Sequence, residues 1–441
     1  MPCWSVVSSL IVATLLPFAG AQAPPSPFAG SRTTGSSVAA NERFVFVVFE
    51  GVLYKFDVES LQLLGSAPLG QAQVGRPAVE PGRIGQEPPP PPPEPAAVPT
   101  PYDQTITDAL AWLVARQDDN GRWDADGFMK HDGEGAPCDG AGSPVHDVGV
   151  TALACLALLA DGNTLRQGRH KNALKKAIVW LREQQQDNGL VGTPASHDFI
   201  YDHAIATVAL TEAFGLSNYN LLKRNAQQAI NYLESHRNPY SVWRYQPRDN
   251  DNDTSVTTWA AWGYASAKSF GLEVNETALQ CVSTWYDQVT DANGRTGYTK
   301  AGERSSRMPG DHAARFPVEN GEALTAAGLF GRFLLGQTPQ QKPVMNAAAD
   351  LLLAHPPRWV QDSIDPYYWM FGTMAMYQMG GDSWRQWQGN LREITNAQRH
   401  DGNCAGSWDP VGVWDLNGGR VYSTAMYTLA LLTAKRAARL Q

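Results

Sequence analysis

The sequence predicts a mainly α protein, an α6/α6 toroid of six helix pairs preceded by a short β-segment and a proline-rich linker. Three observations lead there. From residue 103 to 441 the chain alternates six times between an amphipathic helical stretch and a nearly all-apolar one, at spacings of about 45 to 70 residues. The first stretch of a pair often ends in a polar, glycine-containing turn, most fully in QDDNGRW, Gln117 to Trp123. A helix apolar all round must be buried on most sides, so the six apolar helices form an inner ring and the six amphipathic ones an outer ring.

In chain order, residues 1–21 read as a secretory signal. An apolar run from Val6 to Phe18 is followed by small residues, and cleavage after Ala21 satisfies the A-x-A rule. The mature protein is therefore expected outside the cytoplasm, periplasmic or extracellular. Residues 32–73 alternate Phe, Val, Leu and Tyr around Gly51 and the FDVES turn, which reads as two or three short strands. This segment resembles a single β-propeller repeat, and one repeat is marginal alone. It is expected to pack on the rest of the chain or to pair with a protein partner. Residues 86–102 contain PPPPPP and favour extended polyproline II at ~3.1 Å per residue, a semi-rigid spacer.

The six pairs then follow. TDALAWLVAR leads to HDVGVTALACLALLADG, LKKAIVWLRE to YDHAIATVALTEAFG, and AQQAINYLES to DTSVTTWAAWGYASAKSFG. LQCVSTWYDQV leads to VENGEALTAAGLFGRFLLG, KPVMNAAADLLLAH to DPYYWMFGTMAMYQMGG, and WRQWQGNLREITNAQ to GGRVYSTAMYTLALL.

Lys and Arg total 35 against 43 Asp and Glu, a net charge of −8, so nothing in the balance grips nucleic acid or an anionic lipid surface. Cys3 lies in the leader. The spacing of Cys138, Cys155, Cys281 and Cys404 matches no zinc pattern.

QDDNGRW resembles the QW motif of squalene cyclases and protein prenyltransferases, with weaker copies at QQDNGLV (Gln185, Gly189) and QRHDGNC (Gln398, Gly402). The resemblance covers residues 105–441. In detail the chain is similar to exported prenyltransferase and squalene-oxidase repeat proteins of planctomycete type, through DVGVTALACLALLADGNT, YDHAIATVALTEAFGLS, YYWMFGTMAMYQMGGDSW and GGRVYSTA. It implies the α/α toroid and leaves the activity open. Physically, Gly stops the outer helix with φ > 0, Gln bonds exposed carbonyls, and Trp packs over the turn. The motif is expected to staple one outer helix to the next pair.

The catalytic motifs of that superfamily are not reproduced. Where a triterpene cyclase carries its DXDDTA-like acid, this chain reads Asp249 to Ser255 with Asn252 at the donor position, and an amide cannot protonate an alkene. Read as a calcium loop, the same run has Thr254 and Ala260 where Gly and Glu belong. Asp401 and Cys404 are one residue too far apart for the prenyltransferase zinc pattern, and the C-G-E-Q thioester is absent. The sequence thus assigns no metal and no cofactor.

What remains is the ring of inner-helix starts, which must converge on one mouth. They bring His146 and Asp147, Asp202 and His203, Asp251, Asp253 and Ser255, Glu319 and Asn320, Tyr367 and Tyr368, and Tyr422 and Ser423. Helix capping alone accounts for Asp147, Asp202 and Asp253. His146 and His203 beside two Asp read either as satisfied core histidines or as an acid/base or metal cluster. Trp259 with Trp262, and Tyr368 with Phe371, are three apart and share faces; with Trp369 they are candidates to line an apolar cavity, or plain packing.

The leading expectation is a non-catalytic binding or assembly module. The alternative is an enzyme acting on a polyprenyl or hopanoid lipid, or on an extracellular polysaccharide. The ligand is accordingly an isoprenoid lipid or a glycan. An acidic groove would favour glycan, a closed aromatic pocket lipid, and a filled core a scaffold. Ring closure makes the first and sixth pairs neighbours, which places Cys138 near Cys404 and predicts a disulfide clasp.

Overall fold

The computed structural model describes residues 37–40, 44–49, 52–57, 63–68 and 100–440. The leader, and the proline-rich stretch up to residue 99, lie outside the described residues. The chain divides into two units, Met1–Pro92 and Pro93–Gln441.

In the first unit, β1 (Ser37–Ala40), β2 (Phe44–Phe49), β3 (Val52–Asp57) and β4 (Leu63–Pro68) form an antiparallel meander in sequence order. Phe44 pairs with Asp57 and Phe49 with Val52, so only Glu50 and Gly51 separate the two central strands. The β3–β4 register shifts between Lys55 and Phe56.

The second unit is the toroid. Its outer helices are α1 (Asp103–Ala115), α3 (Lys171–Glu183), α5 (Lys223–His236), α7 (Glu276–Val289), α10 (Val344–Ala354) and α12 (Gly381–Asn390), the last continued by α13 (Arg392–Asn396). Its inner helices are α2 (Asp147–Ala160), α4 (Phe199–Ser217), α6 (Thr254–Ser269), α9 (Ala323–Leu334), α11 (Pro366–Met379) and α14 (Asp415–Leu431). A short α8 (His312–Arg315) lies in the loop before α9, and α15 (Thr433–Leu440) ends the chain. Each inner helix packs on the next, and α14 packs back on α2, closing the ring.

The burial pattern follows from composition. Every residue of α2, DVGVTALACLALLA, is buried, whereas α3, KNALKKAIVWLRE, buries only the stripe Ala173, Leu174, Ala177, Ile178, Trp180 and Leu181. Among the described residues no helix is long and apolar enough to cross a membrane.

The glutamine–glycine turns that end three outer helices act as staples between pairs. Gln117 Nε2 donates to Gly121 O and, 2.9 Å away, to Ala173 O of the next outer helix. Gln185 Nε2 does the same to Gly189 O and Asn225 O. Gln398 Nε2 donates to Gly406 O and Thr105 O, each at 2.9 Å, so the sixth turn holds the first outer helix. The sixth copy corrects its sequence reading. Gly406, not Gly402, lies against the backbone of α1 at Asp108, and the tryptophan is not lost but displaced to Trp408. Trp123, Trp243 and Trp408 each donate their indole N–H, at 2.7 Å, to a carbonyl of the outer helix they follow: Leu113, Leu233 and Ile394. The inserted residues carry Cys404, which is bonded to Cys138 with the two Cα atoms 5.1 Å apart. Cys155 is buried and unbonded, and burial pushes its thiol well above the usual range.

The two ends of the ring differ. At the C-terminal ends of the inner helices α15 closes the toroid. Arg436 pairs with Glu212 and lies over the Trp262 ring, while Arg439 Nη2 donates to Asp161 O at 2.9 Å. The N-terminal ends surround a cavity.

Candidate functional site

A cavity of about 170 Å³ opens among the N-termini of the inner helices. His146 reaches it from the 3₁₀ turn Pro144–His146 that precedes α2. Asp202 reaches it from the first turn of α4, with Asp198 at that helix's start. Asp202 approaches α2 closely because position 149 is Gly; a side chain there would collide with its carboxylate.

His146 Nδ1 lies 3.1 Å from Asp202 Oδ2, and its Nε2 lies 3.9 Å from Asp198 Oδ2. Burial works against the imidazolium, but the Asp202 bond and the charges of Asp202, Asp198 and Asp147 outweigh it, and His146 is raised above its usual range. Burial likewise raises Asp202, with the His146 bond opposing. The pair is an imidazole held between two carboxylates at the open edge of the cavity, an arrangement able to pass a proton.

The remaining wall is aromatic and hydroxylic. Tyr201, Tyr245, Trp259, Tyr298, Tyr367, Trp414 and Tyr422 all face the cavity. Ser255 Oγ and Tyr367 OH are 2.9 Å apart, and Tyr245 OH and Tyr298 OH 2.5 Å. Tyr422 rises from the start of α14, where Gly419 at φ 66° breaks the helix against Gly142 and sends its first turn over the mouth. Behind these tyrosines lie buried acids. Asp253 caps α6 through Val256 N–H at 2.8 Å, Asp365 caps α11 through Tyr368 N–H at 3.0 Å, and Asp415 accepts from Gly412 N–H at 2.6 Å. Burial pushes Asp253 and Asp415 up to about 7. Asp253 Oδ2 has no hydrogen-bond partner and stands 3.5 Å from Arg244 Nε.

Several candidates from the sequence lie elsewhere. His203, one residue after Asp202, faces outward: its Nδ1 accepts from Val191 N–H at 3.0 Å and its Nε2 meets Ala229 O at 3.2 Å, so the two histidines form no cluster. Burial drops its pKa to about 3 and keeps it neutral. Asp147 points away from the cavity, holding Ala125 N–H and Arg122. Its carboxylate comes within 4.8 Å of Asp124 and Asp126, and the charge of Asp124 and Asp147 is met by Arg122, with Lys130 also on Asp124.

Asp251 is half exposed and pairs with Arg244, and Asn252 accepts from Val242 N–H in the same turn. Glu319 is exposed; the buried acid of that segment is Glu322, tied to Arg295 and Arg304. Tyr368 faces the outer ring, donating to His355 O at 2.7 Å, and Trp369 packs between Trp359 and Tyr427. Trp262 and Phe371 do not line the cavity but close its floor. Trp262 stacks on Trp259 at 5.2 Å, and Phe371 meets Trp259 edge-on at 5.1 Å.

Asp198, Tyr201, Tyr245, Tyr298, Trp414, Asn417 and the rim pair Ser305 and Ser306 escaped the sequence reading. A signal for two of them exists. Tyr245 stands two residues after Trp243, and Tyr298 two after Thr296, the place where the QW turn leaves the outer helix and heads for the mouth.

Residues 97–293 match the family described as the A-macroglobulin TED domain, less than half of the chain. No curated protein matches the sequence. Solved structures similar to the chain include the GH76A α-1,6-mannanase from Salegentibacter sp. HEL1_6, at 14% identity and a TM-score of 0.52, covering 77% of this chain and 100% of that one. Unsaturated glucuronyl hydrolase from Bacillus sp. GL1 is similar at 11% identity and a TM-score of 0.54, over 76% and 97% of the two chains. Cellobiose 2-epimerase from Bacillus thermoamylovorans B4167 is similar at 11% and 0.52, over 76% and 98%. The sequence resemblance to squalene cyclases and prenyltransferases finds no support among these matches. At such identities the likeness is one of fold, and the fold it supports is the α/α toroid.

Proposed function

We propose that the protein acts on an extracellular glycan, receiving one sugar ring in the toroid's cavity with His146 and Asp202 as its proton-transfer pair. The observation that carries this is the His146–Asp202 contact of 3.1 Å at the open edge of a wall built from aromatic faces and hydroxyls. Sugars are recognised in this way: ring faces stack on aromatics, and hydroxyls exchange hydrogen bonds with tyrosine, serine and carboxylate groups. The similar structures, among them an inactive mannanase variant in complex with α-1,6-mannotetrose, are carbohydrate-active proteins on the same fold. This favours the polysaccharide alternative over a purely structural module.

A polyprenyl ligand fits poorly. The stacked Trp259 and Trp262 with Phe330 and Phe371 fill the axis beneath the cavity, and about 170 Å³ is below the ~300 to 1,000 Å³ of drug-sized sites. The leader-like N-terminus and the Cys138–Cys404 bond agree with an oxidising, extracytoplasmic location.

In this reading the imidazole, oriented by Asp202 through Nδ1, presents Nε2 on the Asp198 side and moves a proton at the sugar bond. Incubation of the purified protein with a panel of polysaccharides, with products followed by mass spectrometry, tests it. Asp202→Asn and His146→Ala are each expected to slow product release by ~100-fold or more. Undiminished release by His146→Ala would remove the assignment, and glycans bound but never cleaved or isomerised would return the protein to the class of binding modules.

A further inference from the structure

The charge around the cavity narrows the sugar further, on the premise that the site takes a glycan. No Lys or Arg lines it among the described residues, whereas Asp198 and Asp202 do. Directly behind the wall stand Asp253, Asp365 and Asp415; burial raises the wall tyrosines Tyr367 and Tyr422, and the charge of these acids adds to it. His146 is the one cationic group on the lining itself.

The nearest guanidiniums are already committed. Arg244 pairs with Asp251 at 2.6 Å, stands 3.5 Å from Asp253, and covers the rings of Tyr245 and Tyr298, with centroids at 5.3 and 5.1 Å. Arg307, beside the rim residue Ser306, donates to the carbonyls of Phe316 and Ser306 and faces the charges of Asp365 and Glu319. An anionic sugar would therefore meet two carboxylates and, as its one cation on the lining, an imidazole already held by Asp202, which leaves its charge poorly compensated in the recess.

A cation is favoured twice over. Clefts lined with one sign of charge concentrate the opposite sign, and aromatic faces attract ammonium groups through their quadrupoles. Seven aromatic residues surround this recess. We propose that the cavity selects a sugar bearing a free amine, a glucosaminyl-type residue of a de-N-acetylated polysaccharide. The ammonium would sit against the Asp198 carboxylate and the faces of Tyr201 and Tyr245, with His146 at the bond to be acted on.

Calorimetric titration of the full-length protein with three tetrasaccharides decides this: the glucosamine tetramer, its fully N-acetylated form, and cellotetraose. The expected result is about tenfold or greater preference for the amine form over either of the others, since one desolvated cation–aromatic or charge contact is of that size. Asp198→Asn should cut that preference to about twofold. Equal or tighter binding of the acetylated or neutral tetramer would overturn the amine selectivity and leave the glycan reading standing. Binding of none of the three, with polysaccharides from the wider panel also inert, would remove the glycan reading itself.

Discussion

His203 and Asp202 are adjacent in sequence and opposite in fate. One step along a helix turns a side chain by about 100°, enough to move it from the cavity to the outer ring. Asp202 faces the cavity and meets His146, whereas His203 is a neutral core residue that joins Val191 to Ala229. The cost of burying it sets a pH dependence whose sign is definite. With a folded pKa of about 3, against about 6.5 unfolded, the unfolded chain binds the extra proton first, so stability from this group is complete above pH 6.5 and falls as pH drops toward 3. The full shift corresponds to roughly 5 kcal/mol at most. Denaturant titrations at pH 7, 5.5 and 4 should show a shallower loss for His203→Gln than for the wild type. Parallel curves would mean that His203 titrates normally. The sequence named both residues but not their directions, because α4 is apolar on every side and its composition holds no phase from which to tell cavity from core.

At the scale of elements, the alternation of polar and apolar helices was readable because it follows directly from exposure: outer helices keep a wet face and inner ones have none. The glutamine–glycine turns were readable as punctuation, and their bonds explain why a glutamine recurs. Each reaches across to a carbonyl in the neighbouring outer helix, so adjacent pairs are joined by side chain as well as by chain. Gln398 makes this link where no peptide continues from α13 to α1. Gln398→Ala removes two bonds at a buried position, and is expected to cost about 1 to 3 kcal/mol. Gln185→Ala, at a more exposed copy, should cost less; thermal unfolding of the two variants side by side checks the order, and an equal loss would refute the special role of the closing staple. The four-residue displacement in the sixth turn, from Gly402 to Gly406, hid the true register because an insertion in a loop changes spacing without changing the bonds that the loop makes.

For the molecule as a whole, the inner-helix starts were foreseen at one mouth, and the mouth is where the cavity lies. The loop-borne walls, Tyr245, Tyr298, Trp414 and Ser305, were not foreseen. Their positions depend on how turns of different length fold back over the ring, and no periodicity encodes that. The clasp between Cys138 and Cys404 was legible only through the ring itself, since the two residues are 266 apart in sequence. Around it, Asn403 O accepts from Trp112 Nε1 at 2.9 Å and Arg116 Nη2 at 2.7 Å. Closing so long a loop stabilises the fold by about 2 to 5 kcal/mol, and Cys138→Ser paired with Cys404→Ser should lower the unfolding free energy by that amount.

Topologically, the disulfide turns the toroid from a string wound into a ring into a covalent macrocycle, with residues 138 to 404 as its circumference. A protease that cuts once within that arc, for example in the long segment between α7 and α9, opens the circle without separating the pieces. Singly nicked protein should therefore migrate at full mass in a non-reducing denaturing gel and split into two fragments only after reduction. Such a molecule survives its first cut as a single covalent body, and the end that holds the cavity stays joined to the rest.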